Sequence, residues 1–189
     1  DGSPMKVGVI NLPSFYMDMS GARAGKDDFR STTRDVTKIL GEFKEKGVDV
    51  VVMDLRQNGG GSLREAENLT GLFIETGPVV MVKGYDGDVE ELTDHDAEMA
   101  WSGPLVVLTS KFSASASEIF AGAIQDYHRG LILGDKQTHG KGTVQQLLDL
   151  GQQIFQVPNA PKLGALKITI QQFYRPGGDS TQNRGVVSD

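Results

Sequence analysis

Cysteine is missing from this chain altogether, so no disulfide staples it, no thiolate can ligate a metal and no thiol can act as a nucleophile; the redox compartment stays open. No apolar run approaches the roughly 20 residues of a membrane span, and the opening Asp1-Gly2-Ser3-Pro4 is not a signal peptide. That absence says nothing against export, because a trimmed chain would begin the same way. A net charge of −6 with no basic stripe argues against a nucleic-acid groove, which needs Lys and Arg gathered on one face. Histidine is scarce, and its copies, His95, His128 and His139, stand apart from one another. Repeats, low-complexity tracts and linkers are absent too.

What is there suffices for one domain: 189 residues with 38% hydrophobic side chains can bury a core. Residues 6–12 read as a buried strand closed by Pro13. Across 27–46, Phe29, Val36, Ile39, Leu40 and Phe43 follow helical spacing, with acids in the first turn and Gly47 past the end. Four valines and a methionine in 48–55 predict a strand covered on both faces, as in a parallel sheet. A helix over 62–75 and a strand over 78–83 follow, and the acidic, weakly patterned stretch 86–100 reads as a surface excursion. Residues 105–109 form a strand, Ile119, Phe120, Ala123, Ile124 and Tyr127 mark a helix, and 131–133 is a short strand. This alternation predicts an α/β fold with right-handed crossovers. In the last third, 144–150, 152–157 and 166–174 look extended and hairpin-like, and 177–189 looks like a loop.

Chemistry concentrates at three places. Ser113, Ser115 and Ser117 alternate with Ala114 and Ala116 where the strand 105–109 has ended and a helix begins. A hydroxyl there can attack an acyl group whose oxyanion is received by the first, unpartnered helical N–H groups. The same residues also fit a capping box, with Glu118 three positions after Ser115. The second place is Asn58-Gly59-Gly60-Gly61-Ser62, which lacks the Lys-Ser/Thr ending of a P-loop and the spacing of a dinucleotide fingerprint. Its glycines either bring backbone N–H groups close to a reacting carbonyl or make a tight turn that needs positive φ. The third is Gly140-Lys141-Gly142. A serine needs a base, and His139 lies in this loop without an identifiable acid partner. Lys141, between two glycines that let a long side chain enter a tight space, is the preferred base, because a desolvated lysine can work near neutral pH. The competing reading is a solvated lysine on a turn.

Four blocks then carry a resemblance. Asp54-Leu55-Arg56-Gln57-Asn58-Gly59-Gly60-Gly61, Ser113-Ala114-Ser115-Ala116-Ser117-Glu118-Ile119, Gly140-Lys141-Gly142-Thr143-Val144-Gln145 and Gly185-Val186-Val187-Ser188-Asp189 resemble, in this order, the motifs of the tail-specific (carboxyl-terminal processing) serine peptidases. The likeness spans residues 7–189 and is greatest to the bacterial periplasmic branch, through Gln125-Asp126-Tyr127 and the 171–175 stretch. It implies a ClpP/crotonase-like core of stacked β-α-β units with a C-terminal β-hairpin region. It also implies a serine/lysine dyad of Ser115 and Lys141, with Gln145 orienting the lysine. The oxyanion hole would be the N–H groups of Ala116 and of Gly60 or Gly61, and Glu118 and Asp126 would be supporting acids. No cofactor and no metal are implied. The substrates would be proteins or peptides with accessible C-terminal tails, handled in the periplasm, with an adaptor protein for the intact enzyme.

The sequence departs from the family pattern in three places. The loop before Lys141 is one residue longer, with His139 where phenylalanine is common; triple glycine leaves the donor open between Gly60 and Gly61; and Ser188 replaces a common proline. The family's PDZ domain and helical extensions are not recognisable in 1–189, so the expectation is an excised peptidase core. Two other readings compete: a crotonase-like acyl-CoA enzyme, which shares the paired N–H hole, and a noncatalytic module of the same fold that holds an apolar ligand. The dyad reading expects the side chains of Ser115, Lys141 and Gln145 to converge, with Gly60 and Gly61 beside the Ser115 helix. It further expects Lys141 to be largely buried, and Glu118 and Asp126 to point elsewhere.

Overall fold

A computed structural model describes residues 4–26, 28–157 and 159–189. In chain order the elements are β1 (Val7–Asn11), α1 (Met19–Arg23), α2 (Thr32–Glu45), β2 (Val50–Asp54), α3 (Leu63–Gly71), β3 (Gly77–Gly84), β4 (Val89–Asp94), β5 (Leu105–Thr109), α4 (Ala116–Asp126), β6 (Leu131–Gly134), β7 (Thr143–Asp149), α5 (Leu150–Phe155) and β8 (Ala165–Tyr174). They build two four-stranded sheets, a parallel one in the order β1-β2-β5-β6 and an antiparallel one in the order β4-β3-β8-β7.

The parallel sheet advances in one direction, so crossovers of a single hand lay α2, α3 and α4 on one face. Register shows which face: Ile10, Met53, Val107 and Ile132 align across the strands and are all buried. No described element covers the opposite face. Val7, Val9, Leu131 and Leu133 are exposed there and Val50 and Val52 half-buried, which corrects the expectation of a β2 strand covered on both sides. The helical layer packs around Phe120, whose ring meets Phe73 edge-on at 5.7 Å and Phe15 at 6.4 Å between centroids. Val82 of β3 and Phe173 of β8, directly opposite each other, bring the antiparallel sheet onto this core.

Several boundaries differ from the sequence reading for local reasons. The helix expected over 27–46 starts at Thr32, because the Ser31 side chain caps it through the Arg34 N–H at 3.4 Å. Residue 27 lies outside the described residues, and Phe29 precedes the helix, 4.7 Å beneath the Arg34 guanidinium. The acidic stretch 86–100 holds an edge strand, β4, that pairs with β3. The 152–157 segment is not extended: Asp149 caps α5 by accepting the Gln152 N–H at 3.0 Å, and Gln156 ends it in a left-handed conformation at φ 48°. The helix over 62–75 stops at Gly71, and the short α1, capped by Asp18, had no periodic signal to announce it.

Candidate active site

Ser113, Ser115 and Ser117 follow one another from the turn after β5 into the first residues of α4, and their surroundings separate them. Ser113 Oγ donates to Leu55 O at 2.8 Å and accepts the Ser110 N–H at 2.9 Å, and Ser117 Oγ donates to Asn58 O at 2.8 Å. Both are fully buried and tie the turn to the end of β2. Ser115 alone lines an open cavity, and it sits at φ 59°, ψ −115°, a strained backbone for a residue with a side chain. Its N–H donates to the Glu118 carboxylate at 2.8 Å, while the Glu118 N–H is taken by the Ser115 carbonyl at 2.8 Å. Glu118 thus supplies its half of the capping box expected from the sequence, while no side-chain hydrogen bond ties the Ser115 hydroxyl to the helix start.

The glycine turn stands against this helix start. Buried Asn58 donates from Nδ2 to Leu12 O at 3.0 Å and accepts the Gly60 N–H on Oδ1 at 2.8 Å. Gly60 and Gly61 have φ of 109° and 147°. A Cβ on Gly60 would lie 2.8 Å from both Ala114 O and Ser115 Cβ, and one on Gly61 would lie 2.3 Å from Phe15 O. The Gly60 N–H is thus consumed by Asn58. Among the described residues the N–H groups of Gly61 and Ala116 have no partner, and both residues line the cavity beside Ser115.

Lys141 reaches the same cavity from the other side, with Gln145, Thr143 and Val144. The segment that carries it, just before β7, is held by main-chain ties: Thr181 Oγ1 donates to Lys141 O at 3.1 Å, and the Gly142 N–H donates to Gln182 Oε1 at 2.8 Å. Lys141 is half-buried rather than largely buried, since the cavity opens on that side. Among the described residues it makes no ion pair, and no hydrogen bond links Ser115 Oγ, Lys141 Nζ and the Gln145 amide. The cavity is small, about 120 Å³, and its remaining wall is apolar: Leu63, Ile119 and Phe173.

The two acids differ in kind. Glu118 does not point away from the lysine, as the dyad reading expected; its fully buried carboxylate accepts the N–H of Gly140 at 2.6 Å, the N–H of Lys141 at 2.9 Å, Thr138 Oγ1 at 2.6 Å and the Ser115 N–H. One side chain thereby ties the main chain of both Ser115 and Lys141, and it touches the lysine only through that main chain. Asp126 lies at the far end of α4, paired with Arg175 and accepting the Gly177 N–H at 3.1 Å, and does not line the cavity. His139 is exposed, with its N–H on Ser113 O at 2.9 Å, and is not in the cavity wall either. Sequence reasoning missed Thr138, Thr181 and Gln182; the first two are buried hydroxyls and the third acts through its side-chain oxygen, so neither periodicity nor glycine spacing could mark them.

With this geometry in place, three comparisons bear on it. The family model described as Peptidase family S41 matches residues 6–189. The tail-specific protease of Haemophilus influenzae is 44% identical over 187 residues, covering 99% of this chain and 25% of that protein. The carboxy-terminal-processing protease of Bartonella bacilliformis is 35% identical, covering 86% of this chain and 34% of that one. The chain thus spans about a quarter to a third of the length of these relatives. A solved photosystem II D1 C-terminal processing protease superposes with a TM-score of 0.76 at 28% identity, over 97% of this chain and 41% of its own.

Proposed function

Since this chain belongs to peptidase family S41, we propose that it is the serine endopeptidase core of a tail-specific, carboxyl-terminal processing protease. The observation that carries this reading is the shared cavity: a strained Ser115, two unpartnered amides and Lys141 face one small space. In this reading Ser115 Oγ attacks the scissile carbonyl as its proton passes to Lys141 Nζ. The oxyanion forms against the N–H groups of Gly61 and Ala116, so Gly61 rather than Gly60 is the second donor. Collapse expels the amine, which takes the proton from Lys141, and water, activated in the same way, frees the acyl serine. Gln145 closes the cavity beside the lysine and offers it a neutral partner. The chain would correspond to the ClpP/crotonase-like core of a longer periplasmic protein whose PDZ domain, helical segments and adaptor select substrates by their tails. A crotonase-like acyl-CoA enzyme would have no need of Ser115 and Lys141 on one cavity.

The test is incubation of an unstructured protein with the chain and with Ser115→Ala. Cleavage by the first and none by the second is the expected result. Equal cleavage, or none by either with the unstructured protein in excess, would count against the reading.

A further inference from the structure

The antiparallel sheet runs past the core it helps to close. Beyond the facing pair Val82 and Phe173, its inner face continues as an open groove of about 680 Å³ between the β3–β4 and β7–β8 hairpins. Its floor is apolar, made by Val82, Val89, Ile168 and Ile170. Its rim is acidic: Asp86, Asp88 and Glu90 line it, no Lys or Arg does, and none of the three makes an ion pair among the described residues. The groove lies next to the Ser115 cavity along two strands, although the two share no lining residue. On β8, Gln171 lines the groove and Phe173, two residues on, lines the cavity; on β7, Gln146 and Gln145 do the same as neighbours. At about 3.3 Å per extended residue, a chain seated beside Ser115 enters the groove roughly two residues from its reacting carbonyl.

We propose that this groove holds the polypeptide substrate on one flank of the scissile bond and selects stretches that combine apolar side chains with Lys or Arg. The inference rests on the peptidase reading and adds a substrate preference to it. Apolar side chains meet the floor, and cationic ones meet the unneutralised rim at the opening. A free terminal carboxylate would be repelled by the same three acids, so the groove receives an internal stretch and not the very end of a tail.

Two fluorescent peptides with identical apolar residues, one carrying Lys and the other Glu at two positions within six residues of the cleavage point, test this by anisotropy on Ser115→Ala. The Lys peptide should bind about tenfold tighter at low salt, a gap that narrows as salt screens the rim. Asp88→Lys combined with Glu90→Lys should reverse the order, and Asp88→Asn with Glu90→Gln should abolish it, with thermal melts checking that both variants fold. Equal binding of the two peptides, or a preference that survives the charge reversal, would overturn the groove assignment. Cleavage by the unmodified chain separates the two ideas: binding preference without cleavage sinks the peptidase reading, and cleavage without charge preference sinks only the groove.

Discussion

The Ser115 side of the cavity and its Lys141 side rest on opposite kinds of structure. On the first, α4 is buried without a break from Ala116 to Ile124, and Ser113 and Ser117 are bonded into the end of β2. On the second, β7 has no fully buried residue and β8 only Phe173. Ser115, the proposed nucleophile, is thus placed by the core itself, whereas Lys141, the proposed base, sits in the segment leading into β7, and β7 and β8 touch the core at few points. What registers the two is a small number of specific bonds, chiefly the Glu118 carboxylate and the Asp126–Arg175 pair. Packing fixes one half of the site, and hydrogen bonds fix the other half to it.

That contrast can be broken at graded cost. The largest effect is chemical: Lys141→Ala and Lys141→Arg should each lower peptide cleavage by roughly 10⁴-fold or more, since dyad members act as a unit and arginine cannot give up its proton. Their melting temperatures should stay near that of the parent chain, because Lys141 is only half-buried and makes no ion pair among the described residues. Next comes Asp126→Ala, which removes the counter-charge of Arg175, whose side chain is only 14% exposed, and leaves it the neutral acceptors Gly122 O and Gln125 Oε1. It should cost about 3 kcal/mol in denaturant unfolding, and the double variant Asp126→Ala/Arg175→Met should recover part of that loss. Glu118→Gln should follow at about 2 kcal/mol, because an amide oxygen cannot serve all four donors. Activity should fall further than that stability loss explains, since the register of Ser115 against Lys141 is what the carboxylate sets. A cleavage rate unchanged in folded Glu118→Gln would remove the carboxylate from the account.

The smallest effect lies away from the site. Burial pushes the Glu67 carboxyl above its ordinary value; Arg64 and His95 oppose the shift, while Glu90 and Asp94 reinforce it, and Glu67 Oε2 has no hydrogen-bond partner. A raised folded pKa means that the native state favours the protonated acid. The stability it contributes is present below the ordinary glutamate pKa and lost as pH rises through the folded one. Glu67→Gln should therefore melt higher than the parent near pH 8, with the gap closing as pH falls towards 4. A gap that widened on acidification would reverse the assignment.

How much of this was legible in sequence follows the same division. The elements of the packed half have strong local signals: the valine-rich β2, the apolar α4, the small residues around Ser115 and the glycines that stand against them. The projecting half has weak ones. Asp149 capped a helix where alternation suggested a strand, and the acidic β4 looked like a loop because, as an exposed edge strand, it has no buried residue to give it an apolar alternation. The choice between Gly60 and Gly61 depended on Asn58 taking one amide, a bond that no motif encodes. The bare face of the parallel sheet was also unreadable, because a strand covered on one side and one covered on both can share the same run of valines.

The central claim is that Lys141 activates Ser115 across the cavity, and covalent labelling tests it without any choice of substrate. The chain is treated with a fluorophosphonate and the modified residue located by mass spectrometry, with Lys141→Ala alongside. The account predicts a single adduct on Ser115 that forms faster as pH rises and is lost in Lys141→Ala. An adduct on Ser113 or Ser117, or an unchanged labelling rate without the lysine, would contradict it.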